Sequence, residues 1–174
     1  MRRRTFACVV GLCLLLMGCV TIVAPYDPAY DQGLGKLSES TARFLANAEA
    51  GFAEKTYASR EATEYYAVSF NFLALMLQRA RATRALVPCP TNPMLGELAA
   101  EPTIADTLPE DAARFDCREA ALYLVRLRLL DLQNRQKARG TLTEGVILVT
   151  RVGLQNTIAI AIDVLMLNKP PAAK

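Results

Sequence analysis

Ile158-Ala159-Ile160-Ala161-Ile162-Asp163 is the stretch on which the fold class turns. Its strict alternation, rich in β-branched side chains, is the pattern of a half-buried strand. Yet Val152, Ile158, Ile162 and Leu165 keep roughly the spacing of one helix face. A strand needs others to pair with, and the chain offers no further strand candidate. Residues 141–168 are therefore read as a helix, with a strand as the competing reading. Thr141-Leu142-Thr143-Glu144 has capping-box spacing, and Lys169-Pro170-Pro171 ends the segment. Arg151, Gln155, Asn156 and Asp163 interrupt its apolar run, which argues against a membrane span.

Three further helix-length segments precede it. Asp27-Pro28 reads as an N-cap followed by proline at the first helical position. Tyr30, Leu34, Leu37, Thr41, Phe44, Ala48 and Phe52 then recur at steps of three and four, with Gly51 as a C-terminal cap. Ser59 or Thr56 opens a second segment to about Leu86, with Glu61 and Glu64 early and Arg79, Arg81 and Arg84 late, as the helix dipole favours. Its apolar residues cover so wide an arc that it should touch more than one neighbour. Residues 87–106 are proline-rich and loop-like, with one short helical turn at 95–100. Thr107-Leu108-Pro109-Glu110 resembles a capping box opening a third helix through Phe115, Leu122, Val125, Leu129 and Leu132 to Ala138, with Gly140 behind it. The fold class expected is all-α, an antiparallel bundle of about four helices.

Arg2-Arg3-Arg4, the uncharged apolar run Phe6 to Met17, and Gly18 have the order of a secretory signal peptide. With Cys19 directly behind Gly18, Leu16-Met17-Gly18-Cys19 resembles the lipobox of bacterial lipoproteins. That resemblance implies cleavage between Gly18 and Cys19 and lipidation of the Cys19 thiol, with acylation of the new amino terminus. The competing reading is an uncleaved apolar anchor from Phe6 to Ala24. Val20, rather than aspartate, after the cysteine favours the outer membrane, facing the periplasm, by the enteric sorting rule; the inner membrane and the cell surface are the alternatives. The expected division is a signal at 1–18, a lipidated tether at 19–26, the bundle at 27–169 and a tail at 170–174.

Removing residues 1–18 from the 174 leaves 156, enough for one domain with a real core. The 17 acidic residues all remain, while three of the 20 basic ones leave with the signal. The mature charge is therefore balanced, with no excess to attract nucleic acid or an anionic membrane surface. Cys8 and Cys13 leave too and lipid consumes Cys19, so Cys89 and Cys117 remain as a possible disulfide in an oxidising compartment. Such a bridge would stabilise by about 3.5 kcal/mol in the chain-entropy model. Two unpaired thiols are the alternative.

The chain has no histidine. That removes the usual general base, the nucleophilic triads and most zinc, haem and di-iron arrangements, so no catalytic residue, metal site or cofactor is expected. Glu61 and Glu64 read as dipole-complementing charges before a carboxylate pair. Gly33-Leu34-Gly35-Lys36 lacks the strand and the Ser/Thr of a phosphate loop. Arg79 and Arg81 diverge by about 200° on a helix, so they form no single anion fork. Tyr57, Tyr65, Tyr66, Phe70 and Phe72 read as core before groove.

Tyr26-Asp27-x-x-x-Asp31-x-x-Leu34-x-x-Leu37-x-x-x-Thr41-x-x-Phe44-Leu45 behind the lipobox, with Tyr65 or Tyr66 and Arg79-Ala80 later, resembles a group of small uncharacterised lipoproteins of Gram-negative bacteria. The resemblance covers about the first half of the mature chain. It implies a helical lipoprotein and carries over no catalytic residue. The proline-rich loop and β-branched C-terminal segment depart from it. The expected function is a non-catalytic structural or protein-interaction module, held to the membrane by lipid and docking a protein partner or another copy. The alternative is a carrier of lipid or quinone in an inter-helix cavity.

Overall fold

The computed structural model describes residues 27–84 and 115–165. These form four helices: α1 (Pro28–Glu49), α2 (Arg60–Thr83), α3 (Cys117–Arg139) and α4 (Glu144–Leu165), with a 3-10 turn at Ala53–Lys55. No strand occurs among the described residues, so the alternating isoleucines belong to a helix. Successive alternate positions lie about 200° apart there. Accordingly Ile158 is buried in the core while Ile160 points to solvent.

The helix starts follow local chemistry. Asp27 accepts the Ala29 N–H at 2.9 Å, and Ser59 accepts that of Ala62 at 3.1 Å. At the far end of α1, Gly51 takes a positive φ of 85°, turning the chain after Glu49. Phe52, read as the last member of the α1 stripe, consequently lies beyond the helix and is exposed. The stripe before it is buried as expected, from Tyr30 to Ala48. A larger correction concerns α3. Asp116 is extended and non-helical, and it forms a reciprocal capping box with Glu119. A helix running unbroken through Phe115 is thus ruled out; residues 107–110 lie outside the described residues, as does the turn expected at 95–100.

Pairs of residues fix the antiparallel order. Asp27, before α1, meets Arg79 near the end of α2 at 2.9 Å, and the Tyr30 phenol donates to the Met76 carbonyl at 3.5 Å. Glu49, ending α1, pairs with Arg151 in the first half of α4. Each helix packs on two neighbours, in the cyclic order α1, α2, α3, α4. α1 and α2 approach least closely. Rings fill that gap: Phe44 and Tyr65 stack with centroids 4.1 Å apart.

At one end the two short connectors are latched together. Tyr57 N–H donates to Gly140 O and Leu142 N–H to Lys55 O, each at 2.9 Å, around an isolated antiparallel bridge between Thr56 and Thr141. Gly140 makes this possible with a left-handed φ of 73°, ending α3. Buried Gln136 lies beneath, donating to the Glu54 and Lys55 carbonyls.

Candidate functional site

Gly18, Cys19 and Cys89 lie outside the described residues. Cys117 begins α3, is buried, and is disulfide-bonded. No other cysteine occurs among the described residues.

The end of the bundle nearest Asp27 holds the densest polar chemistry. Glu119 is fully buried on α3, yet four donors reach its carboxylate. Arg84 engages both oxygens, Nη2 to Oε1 at 2.6 Å and Nε to Oε2 at 2.8 Å. Arg81 Nε adds a bond of 3.2 Å and the Asp116 backbone N–H one of 3.1 Å. Beside it Asp116 binds the Arg118 guanidinium at 2.8 Å, and Arg118 also donates to Thr83. A buried carboxylate is tolerable only with such compensation. Arginines hold both carboxylates, so the cluster braces α2 against α3. Arg79 and Arg81 do diverge, as read from the sequence, whereas Arg81 and Arg84 converge on Glu119. All three are ion-paired rather than merely solvated, Arg79 with Asp27 and the other two with Glu119.

The remaining candidates are structural. Glu64 pairs loosely with Arg60 at 3.9 Å on the exposed side of α2, and Glu61 is exposed. Leu34 is core, and Gly33 lies where a Cβ would come within 2.4 Å of the Phe72 ring. Tyr66 is buried, with Tyr57, Tyr65, Phe70 and Phe72 packed against the same core. Burial pushes the Tyr65 phenol up to about 12, partly offset by its bonds to Thr41 and Ser69. Tyr66 is raised further, chiefly by burial. Both stay protonated at neutral pH, which denies them a phenolate role. Among the described residues no cluster of His, Cys, Asp or Glu could hold a metal ion.

What the bundle leaves open lies on α4. Ile147, Leu154, Ile158 and Ala161 face the core, but Leu148 is 61 % exposed, Val149 71 % and Val152 57 %. Together with Ala159 and the less exposed Ile160, these fall within an arc of about 120° on the outward side, whose middle also carries the exposed Asn156 and Asp163. Despite the polar residues that argued against a span, α4 is long and apolar enough to cross a membrane, with a mean hydropathy of 1.6. Here it forms the fourth wall of the bundle, Arg151 tied to Glu49. Sequence reasoning noted how apolar this helix is but not that one apolar side would remain uncovered.

Along the flank between α3 and α4 runs an open groove of about 360 Å³. Val149, Gly145, Gly153 and Leu154 line one side; Arg128, Arg135 and Arg139 with Asp131 line the other. The spacing of three and a half to four residues per turn puts the three arginines in one row along α3. Arg135 pairs with Asp131 at 2.8 Å and Arg139 donates to Thr143 at 3.4 Å, while Arg128 has no ion pair among the described residues. The groove walls therefore carry net positive charge. A Cβ at Gly145 or Gly153 would meet open space, so the missing side chains are what shape the hollow.

Comparison of the chain with protein-family models, curated proteins and solved structures returns no match.

Proposed function

We propose that this is a lipid-anchored, non-catalytic envelope protein, a helical structural and interaction module on the periplasmic side of the outer membrane. The observation that carries the reading is how the polar chemistry is used. Every buried side-chain nitrogen and oxygen among the described residues has a partner, and the charged cluster is spent on joining helices. An unpartnered buried polar group is one mark of a catalytic site, and none is found among the described residues. The Leu16-Met17-Gly18-Cys19 motif supports the anchor. A carrier of apolar ligands would need room between the helices, where Leu34, Leu73, Leu122 and Leu154 form one buried cluster.

The test is metabolic labelling with palmitate followed by crosslinking in cells. Label should enter the chain and be lost in Cys19→Ser, and a reproducible protein partner or second copy should be recovered. Unlabelled protein would remove the anchor, and repeated recovery of the monomer alone would remove the interaction role.

A further inference from the structure

We propose that the groove between α3 and α4 is the seat of a partner protein's acidic amphipathic helix, lying along the bundle as a fifth rod. Such a helix is the partner of the interaction module proposed above, and the assignment rests on that reading. Arg128, Arg135 and Arg139 form one wall, at steps of seven and four residues that keep them in a row about 16 Å long. Asp131 is the one carboxylate among the lining residues. Its pair with Arg135 is half exposed on both sides, and such pairs give up their partners at small cost. Arg139 reaches only a hydroxyl, at 3.4 Å, and Arg128 has no ion pair among the described residues.

The opposite wall is apolar and low. Gly145, Val149 and Gly153 follow one another every four residues, the kind of row that interdigitates with a neighbouring helix in the commonest crossing geometry. Two of its three positions carry no side chain, and a Cβ there would meet open space, so a visiting backbone can come close. A guest in the hollow meets cations on one flank and apolar surface on the other, over about three helical turns. A helix with carboxylates seven and four residues apart beside an apolar stripe matches both walls at once.

Dimensions and charge decide the occupant. A single phosphate cannot touch guanidiniums spread over about 16 Å, and a flexible polyanion has no apolar flank to set against Val149. A second copy of the chain does not supply the helix. Within α1 to α4 the carboxylates never recur at steps of four or seven, and the apolar stripes are already spent on the core. A flat lipid leaflet is set aside by Asn156 and Asp163, exposed in the outward arc of α4. Neither obstructs an acidic guest in the groove: Asp163 lies ten residues past Gly153, about 15 Å farther along the helix. Glu144 stands about 100° or more round α4 from the glycine row.

Photocrosslinking in cells tests this on the full chain. The photoreactive p-benzoylphenylalanine replaces Val149 in one strain and Val68, exposed on the far side of the bundle, in another. Val149 should capture one protein, with the link mapped by mass to a segment whose carboxylates recur at four and seven residues beside an apolar stripe. Changing Arg128, Arg135 and Arg139 together to glutamine should cut that yield several-fold. Gly153→Leu should do the same by filling the hollow, and thermal melts of both variants should match an intact bundle. A link into a neutral or basic segment, or a yield that ignores both changes, overturns the proposal. Links to residues 85–114 of the same chain, to a second copy or to lipid overturn it too, each assigning the groove to that occupant. Capture from Val68 with none from Val149 sinks the groove alone, whereas capture from neither removes the interaction role as well.

Discussion

The Tyr66 phenol donates a 2.6 Å hydrogen bond to Oε1 of Gln136, and both side chains are buried where α2 and α3 cross beneath the latched connectors. Gln136 passes the connection on, its Nε2 donating to the Glu54 carbonyl at 2.8 Å and to that of Lys55 at 3.2 Å. Gln136→Leu would strand the phenol and weaken the hold on both carbonyls. The expected loss is about 2–4 kcal/mol, several unsatisfied groups at about 1–3 kcal/mol each with partial relaxation. Tyr66→Phe should cost about 1–2 kcal/mol, and the two losses should not add. Urea melts of the singles and the double variant measure the coupling; additive losses would deny the pair.

Glu119 makes the opposite end equally sensitive. Glu119→Gln should destabilise by about 2–3 kcal/mol, less than a fully buried pair loses, because Arg81 and Arg84 can turn toward water. Glu39→Gln, at an exposed pair with Arg43 of the same length class, should cost no more than about 0.5 kcal/mol. Denaturant midpoints for the two variants check the contrast.

Gly33 and Gly35 are two residues apart in α1 but face different surroundings. At Gly35 a Cβ meets open space, so Gly35→Ala should stabilise by up to about 1 kcal/mol through helix propensity. At Gly33 the Phe72 ring occupies the space, so Gly33→Ala should be destabilising by about 1–2 kcal/mol. Phe72→Leu should relieve the clash and recover most of that loss. Thermal melts of the three variants decide it.

Alkali should loosen the bundle before it loosens an ordinary helical protein. Burial raises the folded Tyr65 phenol to about 12 and raises Tyr66 and Tyr30 in the same direction. A group whose folded value exceeds its unfolded one, near 10, loses protons first in the unfolded chain. Its contribution is therefore complete below about pH 10 and falls away as pH rises through about 12. The melting temperature should hold on the neutral side and drop across that window, together with the growth of phenolate absorbance. Tyrosines that all ionise near pH 10 with no loss of helix would contradict this.

Cys117 should be linked to Cys89, since on the proposed lipoprotein reading Cys8 and Cys13 would leave with the signal and Cys19 would take lipid. Mass mapping of unreduced mature protein should recover a peptide joining the two. Recovery of Cys89 as a free thiol would assign the bond to another cysteine.

The parts of this fold that were legible are those governed by neighbours in sequence. Asp27 before Pro28, Ser59, and Gly140 after the third helix each act within a few residues, and each sits where its chemistry demands. Asp116-x-x-Glu119 has the same legibility, but the proline-bearing pattern at 107–110 competes with it as a helix start. The apolar content of α2 overstated its contacts: Val68 and Leu75 face solvent although their residue types suit a core. Partnerships that bridge distant segments left no trace in local spacing. Nothing near Glu119 announces Arg81 and Arg84 as its partners, and nothing in α4 says which of its apolar sides goes uncovered.

The Thr56–Thr141 latch has a bearing on how the chain assembles. The α3–α4 hairpin is stitched most closely by segments near in sequence and can coalesce early, whereas α1 and α2 touch least and lean on the other pair. The latch and the Glu119 brace need both hairpins at once, one at either extremity. Whichever hairpin emerges first must wait with its leucines bare until its mate arrives to close the two clasps.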